Sequence, residues 1–466
     1  MGSLRRWIVG VLLVVVALAG HATLLPEAVP FIVNTVTTGL QQSPSGGIDG
    51  GGVGLIAWHT DGLGQDETEI AGRLVDAAGA VVGDEFQINT YTSHAQIRPV
   101  VAALSEGGFV VAWESYVVAT DEDEVFIRRF AADGAPLGDE LKVDDTEFHL
   151  HLDVAETASG GFVLVWDDGF DIFGRTFDSA GGSVGDAFQV NVQSGTMYGP
   201  SVAAAAGGAF TVTWEDRSEI DGDGAGVLMR RFASDGSPLG GDMQVNTSTG
   251  GDQYAPAIGM RDDGEFMVVW EAYGQEGLGD GAFGQLFDSS GAALGDEFRV
   301  DDERTAYAGY LDASGTESGF IVVWNEPRDP GGDILTTRAR RFGADGVAAA
   351  VVDVDPQDQG DQAGGVVDSR DGISLIAWEG FGPDEQDIFA QRFAEVAPTP
   401  TPGVVCAGDC DGDGSVSVAE LIRAVNIALG TLDVSQCTAV DGDGDGAVAI
   451  NELIAAVNSA LDGCPG

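Results

Sequence analysis

Along most of this chain, short apolar runs alternate with glycine-punctuated polar stretches, and the runs recur at a nearly fixed distance. A run ending in tryptophan stands at Trp58, Trp113, Trp166, Trp214, Trp270, Trp324 and Trp378, at spacings of 48 to 56 residues. Fourteen residues before the tryptophan stands Pro44, Pro99, Pro200 or Pro256, with Leu152, Tyr310 and Gly364 at that distance in the other units. Such a period marks a repeat architecture and has to be read before any single element. The second unit predicts strands over residues 100–105, 109–113, 125–130 and 140–143, separated by turns such as Ala132-Asp133-Gly134. Apolar residues occupy both faces of these strands, as in sheets packed between other sheets. Four strands per unit at this period predict propeller blades, with a β-solenoid as the competing architecture.

The ends of the array bear on how it closes. The seventh unit stops after its third strand, at residues 388–393. Ahead of the first unit, Phe31-Ile32-Val33-Asn34-Thr35 repeats the pattern of Phe86-Gln87-Ile88-Asn89-Thr90, a fourth strand. An N-terminal strand completing the last blade would close a ring and remove both exposed sheet edges. The expected fold is an all-β seven-bladed β-propeller of four-stranded blades over residues 31–395. A Pro/Thr linker follows at 396–403, then a small α-helical domain at 404–466. The repeated tryptophans read as blade packing rather than as a cofactor box. The segments GGFVVAW at 107–113, RRF at 128–130 and GDAFQVN at 185–191 resemble a widespread repeat of secreted bacterial proteins. That resemblance implies fold and export, and no reaction.

The C-terminal domain carries the sharpest motif. Asp409, Asp411, Asp413, Gly414, Ser415 and Glu420 fit D-x-D-x-D-G-x5-E, and Asp441, Asp443, Asp445, Gly446, Ala447 and Glu452 fit it again 32 residues later. A hard cation wants six to eight oxygens. Carboxylates at positions 1, 3 and 5, the carbonyl of Ser415 or Ala447 at 7, and a bidentate Glu at 12 supply them around the turn that Gly permits. Two Ca2+ sites are therefore expected. Each loop is followed by apolar residues at helical spacing, Leu421, Ile422, Val425 and Leu429, then Leu453, Ile454, Val457 and Leu461, with Gly430 and Gly463 placed as C-terminal caps. Two loop-plus-exit-helix units after a Pro/Thr linker resemble a dockerin, with EF-hand-type loops. Position 12 is Glu rather than the Asp common in that family, and four cysteines are added. The resemblance implies docking to a cohesin-like or cell-surface receptor. All four cysteines, Cys406, Cys410, Cys437 and Cys464, lie in the last 61 residues, which favours two disulfides with three pairings open.

Composition narrows the partners. Net charge is -54 and Lys142 is the sole lysine, which excludes nucleic acid and anionic membrane surfaces as ligands. Arg5 and Arg6 precede an apolar stretch at 7–18 and small residues, the pattern of a signal peptide over residues 1–22. No other segment could cross a bilayer. The mature protein is expected to be secreted or displayed at the cell surface.

Candidate chemistry lies on the propeller's long connections, which carry the tyrosines. The residue after the repeat tryptophan is acidic in five units, Glu114, Asp167, Glu215, Glu271 and Glu379, with His59 and Asn325 in the others. Aromatic rings beside carboxylates suit sugars, which offer an apolar face to stack and hydroxyls to hydrogen-bond. The ligand-face candidates are Tyr91, Glu114, Tyr116, Tyr198, Glu215, Tyr254, Glu271, Tyr273 and Tyr307. These positions read equally as strand ends with solvated tips. No nucleophile elbow, zincin motif or phosphate loop is present, so no catalytic residue is assigned. The expected function is non-catalytic binding or docking, with carbohydrate as the ligand class and a polysaccharide hydrolase or lyase as the alternative.

Overall fold

The computed structural model describes residues 23–63, 67–117, 122–143, 150–219, 222–274, 280–302, 307–329, 332–356, 360–381, 386–396, 407–410, 416–441, 448, 452–453 and 456–457. The expected signal peptide and almost all of the Pro/Thr linker lie outside them. The chain divides into two compact units, Thr23–Val396 and one that contains Ala397–Gly466.

Thr23–Val396 folds into seven antiparallel sheets, six of them built from consecutive strands. The first blade is Gln41–Ile48, Gly54–Thr60, Glu69–Val75 and Val81–Gln87, and the next five repeat that order. The first strand of every blade packs on the first strand of the next, and the seventh returns to the first. The result is a seven-bladed propeller. Its core lies between blades: Ala102, Val110 and Ala112 of blade 2 pack with Leu152, Phe162 and Trp166 of blade 3 in one cluster. The seven repeat tryptophans are at most 2% exposed, which makes them packing residues.

Blade 7 comprises Gln362–Arg370, Ile373–Phe381 and Gln386–Val396, and the N-terminal Phe31–Ile32 pairs with Ala390 and Phe389 on its outer edge. Asn34 shows that this segment stands in for a fourth strand. Its Oδ1 accepts from Ile388 N at 2.8 Å, as Asn89 accepts from Ile70 N and Asn191 from Ile172 N in complete blades, each at 2.8 Å. A further strand, Thr23–Pro26, extends the closure along Phe393–Val396, ahead of the expected boundary at residue 31.

Polar side chains bind each blade to its neighbour. Third-strand arginines reach back to the preceding blade: Arg128 Nη1 donates to Ile88 O at 2.7 Å, and Arg230 Nη1 to Val190 O at 2.6 Å. Arg73 makes the same bond to Val33 O at 2.8 Å, so the closing strand is held like any other. The repeated GDE acids act similarly, Glu85 accepting from Thr35 N, Glu140 from Thr90 N and Glu297 from Thr247 N.

Blades alternate in kind. Fourth strands span seven residues in blades 1, 3 and 5 (Val81–Gln87, Ser183–Gln189, Ala293–Arg299) and two in blades 2, 4 and 6 (Leu141–Lys142, Met243–Gln244, Val352–Asp353). Pro136 and Pro238, which lack an N–H for the ladder, stand at the start of that segment in blades 2 and 4.

Every first strand carries a two-residue bulge opposite the repeat tryptophan, between Gln42 and Ser45 in blade 1 and at the matching place in the other six. Its first residue has positive φ throughout: Ser43, Arg98, His151, Gly199, Ala255, Tyr310 and Gly364, between 45° and 59°. This register shifts two of the sequence alignments. Blades 6 and 7 turn from strand one to strand two with the tight pairs Thr316↔Gly319 and Arg370↔Ile373, against Ile48↔Gly54 in blade 1. Leu311 and Gly365 therefore hold the proline position, and Tyr310 and Gly364 the left-handed one before it. A side chain with a Cβ costs about 1–2 kcal/mol there.

Closure through Asn34 is testable by thermal and urea denaturation. Asn34→Ala removes the acceptor for Ile388 N and the 2.6 Å bond to Asp387, and should lower stability by about 1–3 kcal/mol. An unchanged midpoint would mean that the N-terminal strand does not hold the ring shut.

Candidate functional site

The seven first strands surround a central cavity of about 1220 Å³, and all seven left-handed bulge residues, or their neighbours, reach its wall: Ser43, Arg98, His151, Pro200, Pro256, Tyr310 and Gly364. In five blades the residue after the tryptophan points toward the bulge of the next blade. Asp167 Oδ2 accepts from Gly199 N at 3.0 Å, Glu215 Oε2 from Ala255 N at 3.3 Å, Glu271 Oε1 from Tyr310 N at 2.9 Å and Glu379 Oε1 from Ser43 N at 2.6 Å. Asn325 Oδ1 accepts from Gly365 N at 3.3 Å. A left-handed bulge turns its N–H out of the ladder, and these carboxylates collect it. The recurrence of acid at this position follows from that bond.

Glu114 and Asp167 are fully buried, and Glu215 and Glu271 nearly so. Basic side chains cover the first three of them on the solvent side. Arg98 Nη1 pairs with Glu114 Oε2 at 2.8 Å, His151 Nδ1 with Asp167 Oδ2 at 3.0 Å, and Arg217 Nε with Glu215 Oε1. The hydrogen bond to Asp167 raises the pKa of His151 against its burial, whereas burial, then the charge of Arg98, lowers His59 to about 4.

The tyrosines divide into groups. Tyr198 and Tyr254 pair across the ladder with Glu215 and Glu271. Arg217 lies 4.7 Å over the Tyr198 ring, with His151 edge-on at 6.4 Å. Tyr307 joins this group: a Cβ on Gly309 would fall 2.2 Å from Tyr307 Oη and 2.9 Å from Glu271 Oε1, so hydroxyl and carboxylate converge over that glycine. Tyr310, outside the sequence-derived set, is 53% exposed at the same mouth. The remaining candidates lie elsewhere. Tyr91 stacks on Phe126 of a third strand at 5.9 Å, Tyr116 pairs with Ala95 near the end of its strand, and Tyr273 is exposed at the end of Phe266–Tyr273. The structure thus gathers Tyr198, Glu215, Tyr254, Glu271 and Tyr307, and adds Arg98, His151, Arg217 and Tyr310. A hint of the additions stands in the sequence, one residue ahead of Pro99 and Leu152, once that position is known to be left-handed.

Burial, then the charge of Glu215, pushes Glu271 up to about 7. Burial, then Glu271, raises Tyr254 and Tyr307. Deeper in the cavity, Asp153 Oδ2 accepts from Val202 N at 2.7 Å, Asp312 Oδ2 from Val367 N at 2.8 Å and Asp368 Oδ2 from Ile48 N at 2.7 Å, each clamping one inner strand to the next. Burial raises all three, Asp153 to about 6 and Asp312 to about 7, with the charge of Asp153 adding to Asp312.

In the C-terminal unit, Cys410 is joined to Cys437. Cys406 and Cys464 lie outside the described residues, as do Asp411, Asp413, Ser415, Asp443, Asp445 and Ala447. Of the loop residues described, Glu420 is 3% and Glu452 7% exposed. Glu420 Oε1 accepts from Cys410 N at 2.7 Å, and Oε2 from Ser417 N at 2.7 Å and Ser417 Oγ at 2.8 Å, a capping box that starts helix Val418–Ala428. The helix ends at Gly430, φ 69°, as expected of a glycine cap. Its packed face differs from the expected one. Ala424 and Ile427 join Cys437, Val440 and Ala456 in the core, with Leu421 against them. Ile422, Val425 and Leu429 are exposed at 59%, 44% and 71%, in line with Val418 at 73%.

No family model matches the chain, and no curated protein matches its sequence. Among solved structures it is similar to a protein of unknown function from Dyadobacter fermentans (11% identity, 81% of this chain and 100% of that one, TM-score 0.49). It is also similar to an α-L-arabinanase of Penicillium chrysogenum complexed with arabinobiose (11%, 80% and 98%, 0.47). The propeller domain of the Trilobed protease from Pyrococcus furiosus is a third (9%, 78% and 98%, 0.46). At these identities and TM-scores the likenesses carry no argument about activity.

The inner carboxylates give a pH dependence with a definite sign. A raised native pKa means that the folded state holds the proton more tightly than the unfolded chain. The stabilisation is complete below the ordinary aspartate range, near pH 4, and is lost as pH climbs through about 6 to 7. Asp312→Asn, which keeps an acceptor for Val367 N, should flatten the fall in melting temperature between pH 4.5 and 7.5 by several degrees. Parallel profiles for the variant and the parent would refute this assignment.

Proposed function

We propose that this is a secreted or surface propeller protein that binds carbohydrate at its channel mouth and calcium in its C-terminal module. One observation carries the first half: Tyr198, Tyr254, Tyr307 and Tyr310 gather with Glu215 and Glu271 around the bulges at one end of the central cavity. Rings for stacking and carboxylate edges for hydroxyls are the two things a sugar needs from a protein, and the rigid ring fixes both before a ligand arrives.

Calcium is supported by the twin loop motif and by Glu420 and Glu452, two buried carboxyls at position 12, where a bidentate ligand is required. Asp409, Asp411, Asp413, Ser415 and Glu420 would hold one ion, and Asp441, Asp443, Asp445, Ala447 and Glu452 the other. The ions would neutralise carboxylates that repel one another, so that binding energy becomes folding energy. The exposed line of Val418, Ile422, Val425 and Leu429 supports a docking role for this module toward a cohesin-like or other surface receptor.

A second reading, cleavage of a glycosidic bond, is favoured by the unequal pair Glu215 and Glu271. Glu215 lies against Arg217, while Glu271 is pushed to about 7. Two neighbouring carboxyls whose surroundings set them apart suit the general-acid and charged roles of such chemistry.

Calorimetry with a panel of oligosaccharides should detect binding that Tyr254→Ala weakens about tenfold, roughly the loss of one stacking contact of 1–1.5 kcal/mol. If no sugar binds, the carbohydrate reading falls. Release of new reducing ends, lost in Glu271→Gln and displaced in pH optimum by Arg217→Ala, would establish cleavage. Intact polymer after long incubation would exclude it.

For the C-terminal unit, adding Ca2+ to chelator-treated protein should raise helical circular dichroism with two equivalents bound. Glu420→Gln should remove one equivalent. A flat titration with no heat would defeat the calcium assignment.

A further inference from the structure

We infer that the channel mouth takes a sugar bearing an oxyanion, a uronate carboxylate or a sulfate ester, and that Arg98 and His151 hold that group. The inference rests on the carbohydrate reading and names the class of sugar.

Cations are scarce in a chain of net charge -54, with 21 Lys and Arg against 75 Asp and Glu. Third-strand arginines such as Arg73, Arg128, Arg175, Arg230 and Arg340 donate to carbonyls between blades. Arg98, His151 and Arg217 are placed otherwise. Their side chains are 49%, 49% and 55% exposed, while the carboxylates beneath them are 0%, 0% and 6% exposed. Each pair therefore turns its positive end outward and its negative end into the wall. An incoming ligand meets the cation, held in place from behind. The three stand in consecutive blades, and the charge of Arg98 is felt at His151. Tyr198 lies between His151 and Arg217, so a ring can stack where its anionic substituent is caught.

The backbone singles out these two residues and Tyr310 as the large side chains at left-handed positions. The seven left-handed positions at the mouth admit glycine, as Gly199 and Gly364 show, or a small residue, as Ser43 and Ala255 show. Arg98 and His151 are long polar side chains kept at adjacent strained positions and lining the cavity. Strain of this kind accumulates where a side chain has to be aimed. Arginine's planar fork matches the two oxygens of a carboxylate, or two of a sulfate, and a protonated imidazole donates one further bond. A neutral sugar offers these donors only hydroxyl acceptors, whose bonds are weaker than those of an oxyanion.

The test exploits the strain. Arg98→Gly and His151→Gly remove the side chain while relieving the positive φ, which offsets part of the loss of each ion pair, and melting temperature checks that the variants fold. Full-length protein is titrated by calorimetry with an oligogalacturonate, a sulfated galacto-oligosaccharide and the corresponding neutral galacto-oligosaccharide. Ser43→Gly, at the same kind of position, serves as the control. The expected result is at least tenfold tighter binding of one anionic oligosaccharide than of the neutral one, with that preference lost in Arg98→Gly and His151→Gly and kept in Ser43→Gly. Preference for the uronate or for the sulfate ester identifies the source of the oxyanion. Equal binding of neutral and anionic sugars, unaffected by either substitution, overturns this inference and leaves the carbohydrate reading intact. No binding of any of the three overturns this inference at the mouth, while a sugar outside this set, found in the wider panel, would keep the carbohydrate reading.

Discussion

Everything in the propeller depends on how one blade grips the next, and the grip is a side-chain oxygen accepting a backbone N–H across the gap. Apolar packing between blades supplies the bulk of the burial, but it is non-directional and would allow blades to slide. The directional bonds come from Glu271 to Tyr310 N, Glu379 to Ser43 N, Glu85 to Thr35 N and Asp153 to Val202 N. An unpaired buried N–H costs about 1–3 kcal/mol, so each bulge and each strand end fixes the identity of a residue on its neighbour. The ring closes by the same rule, because Asn34 and Val33 offer blade 7 and blade 1 the groups that Asn89 and Ile88 offer elsewhere.

This grip also explains why an acidic chain presents cations at its mouth. The acid after the tryptophan accepts the neighbouring N–H in blades 3, 4, 5 and 7, and in blades 2 to 5 it is buried. A buried carboxylate favours a positive partner, and the bulge residue or the residue two positions along the strand supplies one in blades 2, 3 and 4. Where no cation is available, as at Glu271, the carboxyl responds by holding its proton to higher pH. One structural position thus yields ion pairs on one arc and a raised acid with tyrosines on the other. The face is chemically uneven although the scaffold is nearly sevenfold.

The C-terminal module follows another logic. Its hydrophobic core is small, Ala424, Ile427, Cys437, Val440 and Ala456, and a disulfide joins position 2 of the first loop to the approach to the second. Small cores need such staples. The apolar residues left outside, Val418, Ile422, Val425 and Leu429, lie along one line of the helix.

The repeat, the count of blades, the closing strand and the buried role of the tryptophans were legible in the amino-acid sequence, because periodic packing writes a periodic pattern. The packed face of the helix was misjudged, since Leu421, Ile422, Val425 and Leu429 look apolar alike and only tertiary contact separates Leu421 from the rest. The equivalence of Tyr310 with proline failed because one shortened hairpin moves the register by a residue, which residue counting cannot detect. Which carboxylates are enclosed, and that Arg98 and His151 face the channel, was decided by the closed ring. Those properties belong to contacts between blades some fifty residues apart, and no local stretch of sequence contains both partners.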